Sequence, residues 1–326
     1  MKVKNEPLQA VLGALLSARS LLLVGHVSPD GDALGSILAL RRRLMMTGRS
    51  VQCMVDGNVP AMLSFLPDSN CILTPDAEPS PYDTVVSVDV ASPDRMGRCF
   101  PFFEQAQCTV VIDHHGTNPT FGDINWIDGT APAAAVLIWR LINAMDGALD
   151  PVEACCLYTG LSTDTGNFLY SNVTPESFEM MADLMRAGLN ISVTGRSLFR
   201  DKELPFLLLI RETLPTLHLL CDNTIAGTCL TRDAMHRAGV DDTATDGLVD
   251  YPSDIVGVKL AYFARETAGG DVKMSLRSRP PYRVDGIAAR LGGGGHDCAA
   301  GLTLRGMSMD QARELIEKEL AEALKA

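Results

Sequence analysis

The chain has 326 residues, of which 46% are hydrophobic and 21% are charged, and its formal net charge is −12 at pH 7. This composition is typical of a folded globular protein, and the length exceeds what one hydrophobic core normally organises, so we expect two domains. The acidic excess argues against binding of long duplex nucleic acid, which requires a basic surface to neutralise phosphates, but it leaves a local basic pocket open.

The cysteines and the N-terminal segment indicate in which cellular compartment the protein is expected. Nine cysteines are scattered without a Cys-x-x-Cys pair, which predicts neither a structural zinc site nor a disulfide framework and favours a reducing, cytoplasmic location. Residues 8–16 are typical of an amphipathic helix rather than a signal peptide, because polar residues interrupt the apolar run. No apolar run reaches the roughly 20 residues of a membrane span, so we expect no membrane partner.

The first half of the chain alternates short apolar runs with helical patterns. Continuous runs rich in Val, Leu and Ile predict buried strands, at residues 21–25, 51–55, 84–88 and 109–112. Helical spacing of apolar residues predicts helices at residues 33–47, 130–145, 151–161 and 175–187. This alternation predicts an α/β domain with a parallel sheet and helical crossovers.

The second half has a different pattern. Periodicity weakens over residues 189–204, which we predict to be a linker between an N-terminal domain, 1–188, and a smaller domain, 205–326. A helix is predicted at 203–214, and shorter β-rich runs follow at 224–230, 257–265 and 272–276. An apolar run at 287–291 leads into a glycine-rich loop at 292–296, and residues 310–325 predict a closing amphipathic helix.

Acidic residues and histidines follow three of the predicted strands and one helix. In open α/β sheets, ligands bind beyond the carboxyl ends of the strands, so these side chains are expected to meet. Carboxylates and imidazoles suit Mn²⁺, with Mg²⁺, Co²⁺ or Zn²⁺ as competitors, and six such ligands suffice for two ions. Taken singly, an aspartate after a strand is more often a turn or N-cap residue than a ligand. The six candidate ligands are His26, Asp30, Asp32, Asp89, His114 and Asp164.

These residues carry a family resemblance. Asp113-His114-His115, preceded by the 26–32 turn and the Val88-Asp89 strand end and followed by Thr163-Asp164-Thr165-Gly166, resembles the DHH phosphoesterase superfamily. The glycine-rich loop at 292–296 resembles the DHHA1 domain that accompanies it, and residues 275–279 bring the chain closest to the nano-RNase (oligoribonuclease) and pAp phosphatase branch. The resemblance implies a parallel-sheet DHH domain with helices on both faces, linked to a smaller α/β DHHA1 domain.

The resemblance also implies a role for each candidate residue. The first Mn²⁺ would be held by His26, Asp30 and Asp89. The second would be held by Asp32, Asp89, His114 and Asp164, so that Asp89 bridges the two ions. A hydroxide bridging the ions would attack phosphorus. The catalytic residues would be Asp113, which orients an imidazole, and His115, which faces the scissile phosphate.

On the substrate side, the resemblance implies a grip on phosphate by the second domain. Two guanidinium groups at the end of a strand can bind phosphate oxygens, although such arginines can also be solvated strand-end charges. The glycine loop can bring backbone N–H groups close to an anion, although a glycine run alone usually indicates a flexible loop. Asp297 departs from the family pattern and would place a negative charge there. The substrate-binding candidates are Arg277, Ser278, Arg279, Gly293, Gly294, Gly295 and His296.

The implied function is Mn²⁺-dependent hydrolysis of short oligoribonucleotides (nanoRNA) to nucleoside monophosphates, and of 3′-phosphoadenosine 5′-phosphate (pAp) to AMP. Three alternatives stay open: hydrolysis of a cyclic-dinucleotide product such as pApA, hydrolysis of inorganic polyphosphate, and a non-catalytic nucleotide-binding regulator. The expected partner is short RNA or a nucleotide, without long duplex nucleic acid, and a homodimer is left open.

Overall fold

The computed structural model describes residues 6–76, 82–145, 147–240, 245 and 247–325, with only the backbone of Glu6 and His296. The chain divides into two compact units, Met1–Asp201 and Lys202–Ala326. Within the described residues, no helix combines the length and the apolar character that crossing a bilayer requires.

The first unit is built on a parallel sheet, as predicted. Its strands are β1 (Ser20–Val24), β2 (Ser50–Met54), β3 (Ile72–Leu73), β4 (Thr84–Val88), β5 (Cys108–Asp113) and β6 (Ile124–Ile127). They lie in the order β3-β2-β1-β4-β5-β6, and every neighbouring pair is parallel. The two outer strands, β3 and β6, were not predicted, because their runs are short and only partly buried.

Helices cover both faces of this sheet. They are α1 (Glu6–Ser17), α2 (Gly31–Met46), α3 (Phe100–Glu104), α4 (Ala134–Asn143), α5 (Pro151–Asp164), α6 (Pro175–Arg186) and α7 (Ile191–Phe199). Leu21 and Leu23 of β1 join the larger core, to which α1, α2, α4, α5, α6 and α7 contribute. Leu22 and Val24 point to the other face, against α3 and the 3₁₀ segment Pro93–Cys99. The prediction of helices on both faces is confirmed, and burial on both sides explains why the strands are continuously apolar.

Helices α2 and α5 pack with little space between them. A Cβ added to Gly35 would overlap the carbonyl of Cys156, so only glycine permits this approach. The helices are also joined by a buried ion pair, in which the Arg43 guanidinium donates to both carboxylate oxygens of Glu153, at 2.8 and 2.7 Å. This packing holds the first residues of α2 against the end of α5, where candidate ligands lie.

The predicted linker, 189–204, is largely structured. Helix α7 occupies Ile191–Phe199, and Leu198 is buried in the core of the first unit. The two units divide between Asp201 and Lys202, nearer the end of the predicted linker. The periodic signal was weak because α7 is short, contains Gly195, and buries only two of its side chains.

The second unit contains a mixed sheet between helices. Its strands are β7 (His218–Leu220), β8 (Ile225–Leu230), β9 (Leu260–Glu266), β10 (Val272–Ser278), β11 (Gly294–His296) and β12 (Ala299–Leu304), and its helices are α8 (Leu204–Thr213), α9 (Arg232–Ala238), α10 (Asp250–Ser253), α11 (Asp285–Arg290) and α12 (Met309–Ala323). The order is β11-β12-β10-β9-β8-β7, with β8 and β9 parallel and the other pairs antiparallel. Helix α12 packs on one face of the sheet, and α8 and α9 pack on the other.

Candidate metal centre

The candidate ligands meet at one edge of the sheet in the first unit. Strands β1, β4 and β5 are adjacent, and the residues after them include His26, Asp89 and His114. The start of α2 contributes Asp32, with Asp30 directly before it, and α5 ends at Asp164. Because parallel strands end at the same edge, ligands far apart in sequence become neighbours in space.

One group of candidate ligands surrounds His26. Its Nε2 atom lies 3.7 Å from Oδ1 of Asp30 and 3.6 Å from Oδ2 of Asp89. The Nδ1 atom of His26 lies 2.9 Å from the carbonyl oxygen of Val27, a contact that turns Nε2 towards the carboxylates. Asp30 is also the N-cap of α2, because its Oδ1 accepts hydrogen bonds from the backbone N–H of Asp32 and of Ala33. The sequence left open whether Asp30 is an N-cap residue or a metal ligand. In the structure Asp30 caps α2 and also lies among the candidate ligands.

The other group surrounds His114. Its Nε2 atom lies 3.2 Å from Oδ2 of Asp164, 3.3 Å from Oδ1 of Asp89 and 3.9 Å from Oδ2 of Asp32. The Asp32 carboxylate accepts hydrogen bonds from the backbone N–H groups of Ala134 (2.6 Å) and Ala135 (2.9 Å), at the start of α4. This helix, predicted from residue 130, begins only at Ala134 and has no side-chain cap of its own at that end. Asp32 supplies the cap from another part of the chain.

Asp89 stands between the two groups. Its side chain is 3% exposed, and its backbone is in the left-handed region, with φ of +59°. Within the described part of the chain, its Oδ1 atom is buried and accepts no hydrogen bond of good geometry, although Nε2 of His114 lies 3.3 Å away. Leaving a buried carboxylate oxygen without a donor is costly unless another positive group reaches it. In the metal-free protein a protonated His114 ring is one such group, and a metal ion held by Asp89 and His114 would take its place, so the residues present fit an ion.

The charges of the site favour the same assignment. Burial, together with the nearby Asp89 carboxylate, raises the pKa of Asp32 to about 7. Burial and the Asp32 and Asp89 charges raise the pKa of Asp164 well above its usual range. Burial alone would lower the pKa of His114, but its carboxylate neighbours raise that pKa to about 10. The site therefore has an excess of negative charge, which divalent cations would compensate.

Three groups of possible metal ligands occur among the described residues, and all of them fall here. Each group has its ligand atoms within 4.8 Å of one another. Two of the groups are His26 with Asp30 and Asp89, and Asp32 with His114 and Asp164. Carboxylate oxygens and imidazole nitrogens without thiolates suit Mn²⁺ or Mg²⁺ more than thiophilic metals.

Asp113 is fully buried and orients the second histidine of the pair. Its Oδ1 atom accepts a hydrogen bond from Nδ1 of His115 at 2.8 Å and one from the backbone N–H of His114 at 2.8 Å. Its Oδ2 atom accepts a hydrogen bond from Nδ2 of Asn118 at 2.7 Å. Asn118 was not predicted, because a lone asparagine in a loop is indistinguishable from a turn residue in the sequence.

The arginine candidates lie in the second unit. Arg277 and Ser278 end β10, and Arg279 follows. The Arg277 Nε atom lies 3.5 Å from a carboxylate oxygen of Asp250, and Arg279 donates a hydrogen bond to the carbonyl oxygen of Ser253 at 2.9 Å. Ser278 donates from its hydroxyl to a backbone carbonyl at 2.8 Å. The chain itself therefore holds all three residues in place.

The glycine-rich segment differs from the predicted loop. Residues 287–290 belong to α11, and Gly294 and Gly295 form strand β11 with His296. A Cβ added to Gly293 would lie 2.6 Å from the Cβ of Leu302, so this glycine permits close contact with β12. The side chain of His296 lies outside what the structure describes.

The register of the sheet connects the two candidate substrate-binding motifs. Arg277 pairs with Ala299 of β12, and Ala299 pairs with His296 of β11. Arg277 and His296 are therefore two strands apart at one register position, about 10 Å by strand spacing. The carboxylate of Asp297 lies 2.7 Å from the guanidinium of Arg283, which compensates the negative charge that the sequence placed here.

Comparison with known proteins identifies the family of this chain. Residues 20–161 match the DHH family, N-terminal domain, and residues 224–322 match the DHHA1 domain. The bifunctional oligoribonuclease and PAP phosphatase NrnA of Thermus thermophilus is 34% identical, over 99% of this chain and 94% of its own length. The NrnA of Bacillus subtilis is 25% identical, over 91% of this chain and 92% of its own length.

Solved structures have the same fold. An exopolyphosphatase-related protein from Bacteroides fragilis has a TM-score of 0.92 at 26% identity, over 99% of this chain and 98% of its own. RecJ of Thermus thermophilus, solved in complex with Mn²⁺, has a TM-score of 0.56 at 13% identity, over all of this chain and 55% of its own. The chain therefore belongs to the DHH and DHHA1 phosphoesterase family, as an enzyme of the branch that contains the NrnA oligoribonucleases and PAP phosphatases.

Proposed function

We propose that this enzyme hydrolyses short oligoribonucleotides to nucleoside monophosphates and pAp to AMP, using two divalent ions, of which Mn²⁺ is preferred. The observation that carries the proposal is the position of Asp89, whose buried carboxylate lies between the His26 and His114 groups. Full-length similarity to proteins named as oligoribonucleases and PAP phosphatases supports the substrate class.

The protein's own residues would hold the two ions in separate groups. His26, Asp30 and Asp89 form the first group, and Asp32, His114 and Asp164 form the second, with Asp89 shared. When bound, the ions would lower the pKa of water and act as Lewis acids on the phosphoryl oxygens. The hydrogen bonds from α4 keep the Asp32 carboxylate in one orientation, so the second group is preorganised.

Asp113 and His115 act beside the ion ligands. Because Nδ1 of His115 donates to Asp113, the imidazole presents its Nε2 side to the phosphoryl group. A histidine oriented in this way can stabilise the charge that develops on phosphate oxygens or donate a proton to the leaving group. Its proposed role is therefore electrostatic help or general acid catalysis.

Arg277, Arg279 and His296 are proposed to bind the part of the substrate distant from the reacting phosphate. Their grouping at the β10 and β11 end of the sheet supports this role, since guanidinium groups bind phosphate bidentately. We also place the enzyme in the cytoplasm, because all nine cysteines carry free thiols, as expected in a reducing compartment.

Hydrolysis of pApA or of inorganic polyphosphate stays an alternative, and the name of the Bacteroides fragilis protein favours including polyphosphate in the test. The purified enzyme with Mn²⁺ should be assayed on pAp, pApA, a trinucleotide, a 24-nucleotide RNA and polyphosphate. We expect the trinucleotide and pAp to be hydrolysed fastest. Faster hydrolysis of the 24-nucleotide RNA or of polyphosphate would contradict the proposal, and a protein that binds nucleotides but hydrolyses none of these substrates is a regulator.

Arg279→Ala tests the substrate grip in the same assay. We expect a rise in KM of about tenfold or more from the loss of one charge-assisted phosphate contact, with metal affinity unchanged. Arg290→Ala is the matched control, because Arg290 is an exposed arginine of the same unit paired with Glu319. Equal KM values for the two variants would contradict the assigned grip.

A further inference from the structure

The chain forms a hydrogen-bonded turn directly after α5. The backbone N–H groups of Leu169 and Tyr170 both donate to the carbonyl of Thr165 at 3.0 Å, and that of Asn167 donates to the carbonyl of Ser162 at 2.7 Å. Gly166, Asn167 and Phe168 all have positive φ angles, between +55° and +65°. Asn167 and Phe168 are not glycines, so the surrounding structure must hold their backbone in this region, as it also does in the turn at residues 221–223.

This turn anchors one aromatic ring and exposes another. Phe168 stacks on Phe178, with ring centroids 5.4 Å apart. Tyr170 is 60% exposed, yet one side of its ring rests on the backbone of Gly166, where an added Cβ would overlap three ring carbons. The Tyr170 ring is therefore supported on one side and open to solvent on the other.

The turn that carries this ring directly follows a candidate metal ligand along the chain. Gly166 is two residues from Asp164, a member of the second ligand group. Asn172, two residues after Tyr170, donates from its side-chain amide to the carbonyl oxygen of Asp164 at 3.0 Å and to that of Pro132 at 2.9 Å. These contacts hold both ends of the turn against the end of α5.

We propose that Tyr170 stacks on the nucleobase of the nucleotide that carries the scissile phosphate, so that this site favours nucleobase-bearing phosphate esters over inorganic polyphosphate. The inference rests on the proposed function, because it requires phosphate to bind at the metal centre. An aromatic ring held on one side offers a stacking surface at little entropic cost, and every base has a π-face. The contact therefore selects for a base without selecting among the four bases.

The test compares pAp with its abasic analogue, ribose 3,5-bisphosphate, on wild-type enzyme, Tyr170→Ala and Tyr170→Phe. We expect Tyr170→Ala to lower kcat/KM for pAp about tenfold to a hundredfold and to leave kcat/KM for the abasic analogue unchanged. Tyr170→Phe should retain the wild-type preference, because the ring is preserved. Met185→Ala, which truncates an apolar side chain of α6 that is 56% exposed, is the matched control.

An equal loss on both substrates would overturn the inference, since it would mean that Tyr170 acts only by maintaining the turn. An unchanged kcat/KM for pAp would also overturn it. Calorimetric binding of AMP and of ribose 5-phosphate provides a readout without turnover. An enzyme that hydrolyses no phosphate ester would refute the proposed function alone, while a preference for AMP that is lost in Tyr170→Ala would still support stacking.

Discussion

Gly160 of α5 lies where the candidate metal centre and the helix packing meet, and we predict that Gly160→Ala impairs both. A Cβ at this position would lie 2.6 Å from Oδ1 of Asp32 and 2.8 Å from the Cβ of Ala135. Both distances are well below van der Waals contact, and both neighbours belong to the hydrogen-bonded pair that orients the Asp32 carboxylate. The carboxylate or the two helices must therefore move.

The magnitude follows from two opposing effects. Replacing glycine by alanine in a helix interior stabilises the helix by about 1 kcal/mol. Overpacking a tight interior costs about 1–3 kcal/mol, so we expect a net loss of up to about 2 kcal/mol in the free energy of unfolding. Opening this contact to van der Waals distance requires a shift of Asp32 of about 1 Å, which should weaken metal binding and lower kcat/KM by up to about a hundredfold.

Gly13→Ala is the matched control, because Gly13 is also in a helix and nothing lies within 4 Å of its added Cβ. Urea unfolding at a fixed Mn²⁺ concentration should show Gly13→Ala more stable than wild type and Gly160→Ala less stable. Calorimetric Mn²⁺ titration should show a loss of affinity only in Gly160→Ala. A Gly160→Ala enzyme with wild-type stability and wild-type metal affinity would refute the reasoning.

Three further predictions concern the same unit. Asp89→Ala should lower kcat by at least about 10³-fold without unfolding the protein, and a variant with a tenth of the wild-type rate and normal metal content would contradict the shared-ligand role. Glu153→Ala removes the buried carboxylate to which Arg43 donates two hydrogen bonds and should cost about 3–5 kcal/mol in urea unfolding, and a cost below 1 kcal/mol would contradict this. In the metal-free protein, burial alone would lower the pKa of His26, but Asp30 and Asp89 raise it to about 11. The pKa of His114 is raised to about 10. Both rings are therefore protonated at pH 7 and must lose protons to bind metal, so Mn²⁺ affinity should rise from pH 6 to pH 9, and a pH-independent affinity would contradict this.

The sequence was informative wherever burial leaves little choice of residue. Strands β1, β4 and β5 are buried on both faces, so they require uninterrupted apolar residues, and any polar residue that follows them stands out. The sequence was less informative for β3, β11 and α7, because short elements and glycines carry weak periodic signals. The segment 292–296 shows this, since its glycines serve close packing of β11 on β12 as well as a turn.

The sequence by itself determined the parallel sheet, the family, and the residue types that collect at the ends of the strands, because local apolar patterns and motif order are properties of the chain. Only the tertiary structure decided which side chains face each other. It showed that Asp113 orients His115 rather than His114, that Asp32 caps α4, and that Asp89 lies between the two ligand groups. These relations depend on distances of a few ångströms between segments far apart in the chain, and neither periodicity nor spacing in a sequence contains those distances.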